Sequence, residues 1–190
     1  MVLILRPTQG GEQLPPQEMA CPGCGDTLAP WGYARARSVR TGHGTCELRP
    51  RRVRCRGCRN TQVLLPAACP PRRADTVEVI GTALVAAATG TSHRRIAADL
   101  DRPADTVRGW IRRATAHAGH LREHATILAH QFDPLLPPIP PVPTLLGDAM
   151  QALGAAVAAL TRRLGPAGPA WELTTWLTSG RLLAPPARTG

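Results

Sequence analysis

The sequence predicts an α+β protein: a small N-terminal β zinc ribbon, then a mainly α-helical helix-turn-helix region and a C-terminal helical pair. Three observations predict it. Two Cys-x-x-Cys pairs, Cys21/Cys24 and Cys55/Cys58, lie among short apolar pieces. Past residue 73 the apolar spacing lengthens from two to about 3.6 residues, the helical period. Prolines then crowd between residues 133 and 143 and divide the helical part. A chain of 190 residues with 20 prolines and 18 glycines is expected in several short pieces: the ribbon over 1–72, the helix-turn-helix region with an extended last helix over 73–132, a linker over 133–143 and a helical segment over 144–190.

The opening Met1-Val2-Leu3-Ile4-Leu5 is too short for a signal sequence and predicts a strand. The cysteine pairs follow. Two thiolates two residues apart grip one ion because a tight turn aims both sulfurs inward, so Cys21, Cys24, Cys55 and Cys58 are the expected Zn²⁺ ligands. Gly23 and Gly57, each before the second Cys of its pair, are expected to supply the positive φ of that turn. A redox role needs only one such pair beside a βαβ pattern, which this chain lacks. A ribbon this small cannot bury enough surface to fold alone, so metal binding becomes folding free energy. Thr41-Gly42-His43-Gly44 predicts a hairpin turn, and Trp31, Tyr33 and Val63-Leu64-Leu65 are expected to pack the ribbon. Cys46 and Cys69 are expected as small buried or half-buried thiols rather than ligands.

All 23 basic residues are Arg, and the formal net charge is +10. Residues 35–73 hold eleven arginines against one acid, Glu47. Part of that excess offsets the negative charge of four thiolates on one Zn²⁺, and the rest suits a polyanion, with Arg49, Arg51, Arg52 and Arg54 as an auxiliary basic patch.

Asp75, with Glu78 three residues on, predicts a capping box opening a first helix whose stripe is Val77, Ile80, Leu84 and Val85. Thr89-Gly90-Thr91 ends it. Ser92 caps a short second helix with Ile96, Ala97 and Leu100 inward, and Pro103 begins a third at its first helical position, with Val107, Trp110, Ile111 and Ala114 facing the core. A short helix, a tight turn and an amphipathic third helix are what major-groove recognition needs. On that third helix Arg108 and Arg112 are the expected base readers, since a guanidinium donates two bonds to guanine. Thr106 and Arg113 lie beside them, and Arg94 and Arg95 are expected on phosphate. Residues 114–131 are expected to continue helically, and their His117, His120 and His124 share a face, which suits half-exposed histidines better than a second metal. Thr144–Leu164 and Trp171–Leu183 predict two apolar helices that serve either as core or as a homodimer or partner surface.

The run Arg51–Cys58, then Leu64-Leu65-Pro66, Ile96-Ala97-x-x-Leu100 and Thr106-Val107-Arg108-x-Trp110-Ile111-Arg112-Arg113 resembles a zinc-ribbon and helix-turn-helix family of unknown function, found mainly in actinobacteria. The likeness spans most of the chain, through Trp171-Glu172-Leu173 and Ser179–Leu183. More loosely, the chain is similar to the DNA-recognition region preceding the catalytic core of insertion-sequence transposases. The resemblance implies a metal on the four cysteines and DNA on the third helix. It carries over no catalytic role, because residues 134–190 contain only the acids Asp148 and Glu172 and no acidic two-metal core follows. With no nucleotide-binding or hydrolase motif and no apolar run of membrane-spanning length, the expectation is a cytoplasmic, nucleoid-associated, sequence-specific DNA-binding protein, transposase-related or regulatory, and not an enzyme. The competing expectations are a protein-interaction adaptor and a DNA-recognition subunit for a recombinase on another chain.

Overall fold

The structure, a computed structural model, describes residues 2–7 and 19–184. Met1 of the expected first strand and residues 185–190 of the expected C-terminal segment lie outside them. Its strands are β1 (Val2–Ile4), β2 (Leu28–Tyr33), β3 (Arg37–Thr41), β4 (Gly44–Leu48), β5 (Arg51–Cys55) and β6 (Thr61–Leu65). Its helices are α1 (Val77–Ala88), α2 (His93–Asp99), α3 (Ala104–Ala116), α4 (Ala118–Phe132), α5 (Leu145–Leu164) and α6 (Ala170–Leu177). The fold is mixed α+β.

The strands form a four-stranded sheet in the order β1-β6-β5-β2 and a separate β3-β4 hairpin turning through Thr41–Gly44. β1 runs parallel to β6, and the other neighbours in the larger sheet are antiparallel. Pro30 sits in β2, an edge strand, where a missing N–H costs the ladder least. Leu5, Leu28, Val53 and Leu64 close a small core over Cys21 and Cys55. Trp31 and Tyr33 do not pack it as expected. They are 51% and 53% exposed, and the Arg54 and Arg49 guanidiniums lie over their rings at 4.6 and 5.0 Å, a cation–π arrangement that serves both partners at the surface.

The helices share a second core of Ile80, Leu84, Val107, Trp110, Leu121 and Leu153. Asp75 does not cap α1. Thr76 holds the N-cap position without a side-chain bond, and Asp75 is buried between Arg40 and Arg102. Val85, expected on the inward stripe, is 46% exposed, while Val79 and Ala83 are buried. Pro103 stands at the N-cap, one position earlier than expected, and the predicted continuous helix breaks at His117, which closes α3 and opens α4. α6 ends at Leu177, short of the predicted Leu183.

Alanines set how α4 and α5 meet. Ala125, Ala129, Ala149, Ala152 and Ala156 are fully buried, so the two helices share a seam of methyl groups. Arg122 pairs with Asp148 near both helix starts and Arg162 with Asp133 near both ends, so α4 and α5 run parallel. The proline-rich segment is therefore a return strap. After a turn in which the Leu136 N–H donates to the Asp133 carbonyl at 3.0 Å, the segment up to Thr144, at about 3.1 Å per extended residue, is long enough to run back over the roughly 22 Å of α4. The strap packs on the core through Leu136 and Ile139, and the Ile139 carbonyl accepts from Arg122 at 2.8 Å.

Candidate functional site

Each cysteine pair sits on a turn that the backbone closes. In the first, the Cys21 N–H donates to the Asp26 carbonyl and the Gly25 N–H to the Cys21 carbonyl, both at 2.8 Å. In the second, the Cys55 N–H donates to the Asn60 carbonyl at 3.0 Å. The left-handed residue falls one place after each pair, at Gly25 (φ 77°) and Arg59 (φ 62°), and not at Gly23 or Gly57 as expected. Gly57 has a different reason to be small: a Cβ there would lie 2.6 Å from the Asp26 carboxylate of the opposite turn.

The two turns bring all four sulfurs within 4.8 Å of one another. Cys21 and Cys58 are 3.7 Å apart, and Cys24 and Cys55 3.4 Å. A single tetrahedral ion with bonds of about 2.3 Å to sulfur sets its ligands about 3.8 Å apart, so the set fits one metal ion. The backbone N–H of Asp26, followed by the neighbouring Cys55 and Cys58, lowers the Cys24 thiol to about 7. Burial, with Cys24 beside it, pushes Cys55 up to about 12. Among the described residues, no other group of three or more metal-ligating side chains converges in this way. His124 contacts the Leu177 carbonyl at 3.2 Å and stacks with His120. Cys69 is buried, whereas Cys46, expected at least half-buried, is exposed.

The tri-helical unit follows its caps. The Ser92 hydroxyl accepts from the Arg95 N–H at 3.4 Å to open α2, and Asp101 at φ 50° turns the chain into α3. Val107, Trp110 and Ala114 bury one side of α3, leaving Arg108 and Arg112 exposed one turn apart. The Arg108 side chain is 69% exposed and lies 3.9 Å from the Asp105 carboxylate. A shallow recess of about 290 Å³, lined by Gly90, Thr91, His93, Ile111 and these two arginines, lies between the end of α1 and α3. Arg94 and Arg95 are exposed on α2, with Arg95 4.0 Å from Asp99, and Thr106 is half-buried. Arg113 belongs elsewhere, in a second cleft with Arg73. Of the expected basic patch, Arg49 and Arg51 are exposed and Arg52 and Arg54 half-buried.

Sequence reasoning missed the joint between ribbon and helices. Asp75, 3% exposed, accepts from Arg40 of β3 at 2.6 Å and from Arg102 of the α2–α3 turn at 2.7 Å. Arg102 also donates to the carbonyls of Leu100, Asp101 and Thr41, so one guanidinium ties the hairpin to the turn that aims α3. The sequence pointed elsewhere, since Asp99, Asp101 and Asp105 all lie nearer to Arg102 in the chain than Asp75 does.

Fold and site together define a class: a sheet carrying a four-cysteine cluster that could hold one metal ion, joined through a buried carboxylate to a tri-helical unit. Residues 21–122 match the domain of unknown function DUF6431, and the chain belongs to that family. No curated protein and no solved structure matches it. Among the described residues, no helix is long and apolar enough to cross a membrane.

Proposed function

We propose that this protein is a zinc-stapled, sequence-specific DNA-binding protein that reads base edges with α3 and does no chemistry of its own. The observation that carries this reading is the exposed pair Arg108 and Arg112, one turn apart on a helix whose other side is buried and which follows a capped short helix and tight turn. Zinc is the ion that four thiolates at tetrahedral spacing favour. Arg94 and Arg95 would meet phosphate, and the ribbon's Arg49 and Arg51 adjacent backbone. A nucleoid location and a regulatory or transposase-related role go with the same reading.

The adaptor alternative, through the ribbon and the C-terminal helices, would be favoured by apolar exposure around Trp171 and Trp176. Trp171 lies against Gly81, and Trp176 packs beside Leu160 and Leu173 under the Arg6 guanidinium, both half-buried, which favours the DNA reading over it.

The test is selection of fragmented genomic DNA on zinc-loaded protein at two salt concentrations, repeated with Arg108→Ala and Arg112→Ala. A motif that persists as salt rises, with each variant losing about 1–3 kcal/mol and relaxing at one base pair, is the expected result. Unchanged preference in both variants removes α3 as the reader.

A further inference from the structure

A cleft of about 670 Å³ lies away from both the cysteines and Arg108. Three parts of the chain wall it: the Pro70–Arg73 loop that follows β6, the C-terminal end of α3 with Arg113 and His117, and the loop after α6 with Ser179. None of its described lining residues is acidic. Among the described residues, the ion pairs engage Arg40, Arg95, Arg102, Arg108, Arg122 and Arg162 but not Arg72, Arg73 or Arg113. Positive charge from Arg72, Arg73 and Arg113 thus converges on a concave space with no acid among its described lining residues.

The cleft is also built. Arg37 donates to the carbonyls of Arg73 and Cys69 at 3.4 and 3.5 Å and braces the loop. Gly180 (φ 73°) lets the opposite lip close on it, since a Cβ there would stand 2.8 Å from Pro71 and 3.1 Å from Ile4. Arg72 at φ 58° and Ser179 at φ 51°, one on each lip, hold left-handed backbone that side chains rarely adopt. Strain of that kind persists where surrounding structure enforces it, and it gathers at ligand clamps. The wall also carries the apolar Val2, Ile80, Leu182 and Leu183, with Thr175 and Arg181 among them.

We propose that this cleft binds a phosphorylated small molecule, its phosphate held by Arg73, Arg113 and Arg72 and its organic body against the apolar wall. Arginine forks match phosphate oxygens in geometry and charge. A concave site of several hundred Å³ suits a small ligand, whereas backbone phosphate is met on open surfaces. Burial, then the neighbouring Arg113 and Arg72, lowers Arg73 below the ordinary guanidinium range, which a bound dianion would reverse. Because Arg113 sits on the reading helix and Arg73 on the ribbon side, occupancy would stiffen one against the other. The site stands whether or not α3 reads DNA.

The experiment is calorimetric titration of the full zinc-loaded chain with inorganic phosphate, glucose 6-phosphate and adenosine monophosphate. Arg73→Gln and Arg113→Gln, on separate elements, are compared with Arg163→Gln at the exposed end of α5. At least one probe should bind one-to-one, weaken about tenfold or more in each cleft variant and keep its affinity in the control. A raised unfolding midpoint of the unaltered protein with the same probe checks binding without any variant. Failure of all three probes to saturate, or equal affinity in the cleft variants, overturns the proposal. So does loss of duplex-DNA affinity in Arg73→Gln without small-anion binding, which would make the cleft a backbone contact.

Discussion

Cys24 and Cys55 face the same ion from opposite protonation habits. One is lowered to about 7 by the Asp26 N–H and the other raised to about 12 by burial. Metal binding requires thiolates, so each thiol protonated beforehand gives up a proton on loading. Above pH 7 Cys24 is already ionised; below it, Cys24 is protonated. Metal uptake should therefore release about one more proton per chain at pH 6 than at pH 8, and affinity should fall more steeply with acid below 7, as pH-stat titration with zinc would read. Equal release at both values would mean that Cys24 has no early ionisation. The four ligands were legible because their spacing is local. The acid that joins the two halves was not, because Asp75 meets partners 35 and 27 residues away and Glu78 gives it a plausible local reading as a cap.

At the scale of elements, local grammar carried α2 and α3, since Ser92 and Pro103 mark their starts whatever surrounds them. Contact between elements was not so readable. Gly81 looks like a weak point in α1, yet the Trp171 ring of α6 occupies the space where its Cβ would be. Gly81→Ala gains helix propensity of about 1 kcal/mol and still should lower stability by about 1–3 kcal/mol, because the indole must leave its seat. Chemical denaturation would measure the sign; a stabilised variant would refute that contact. Trp31 and Tyr33 failed as core residues for a related reason. Aromatic content predicts burial only on average, and an edge strand exposes one face where arginines can cover rings. The proline-rich stretch was legible as a connection between helices but not for its destination, which depends on the parallel pairing of α4 with α5.

For the whole molecule, α+β architecture and the order of its parts were legible, whereas their attachment was not. The ribbon has a small core of its own beside four cysteines that could hold a metal, while the helices share a larger one. Cys55→Ser should lose the ion and the N-terminal sheet while far-UV helicity remains. It should also lower the helical unit's stability by about 2 kcal/mol, because Arg40 then leaves a buried Asp75 with one partner fewer. Metal analysis and thermal unfolding followed by circular dichroism would check both parts; a zinc-loaded, fully folded variant would displace Cys55 from the ligand set. The Asp75 joint has one more consequence. A protein touching DNA at two places measures distance along the helix axis as well as base identity, and the stiffness of the piece between them decides how strict that measurement is. If α3 and the ribbon both touch DNA as proposed, Arg40 and Arg102 clamped on a single buried carboxylate would make the chain a ruler of fixed length, intolerant of a target in which one base pair has been inserted between its two contacts.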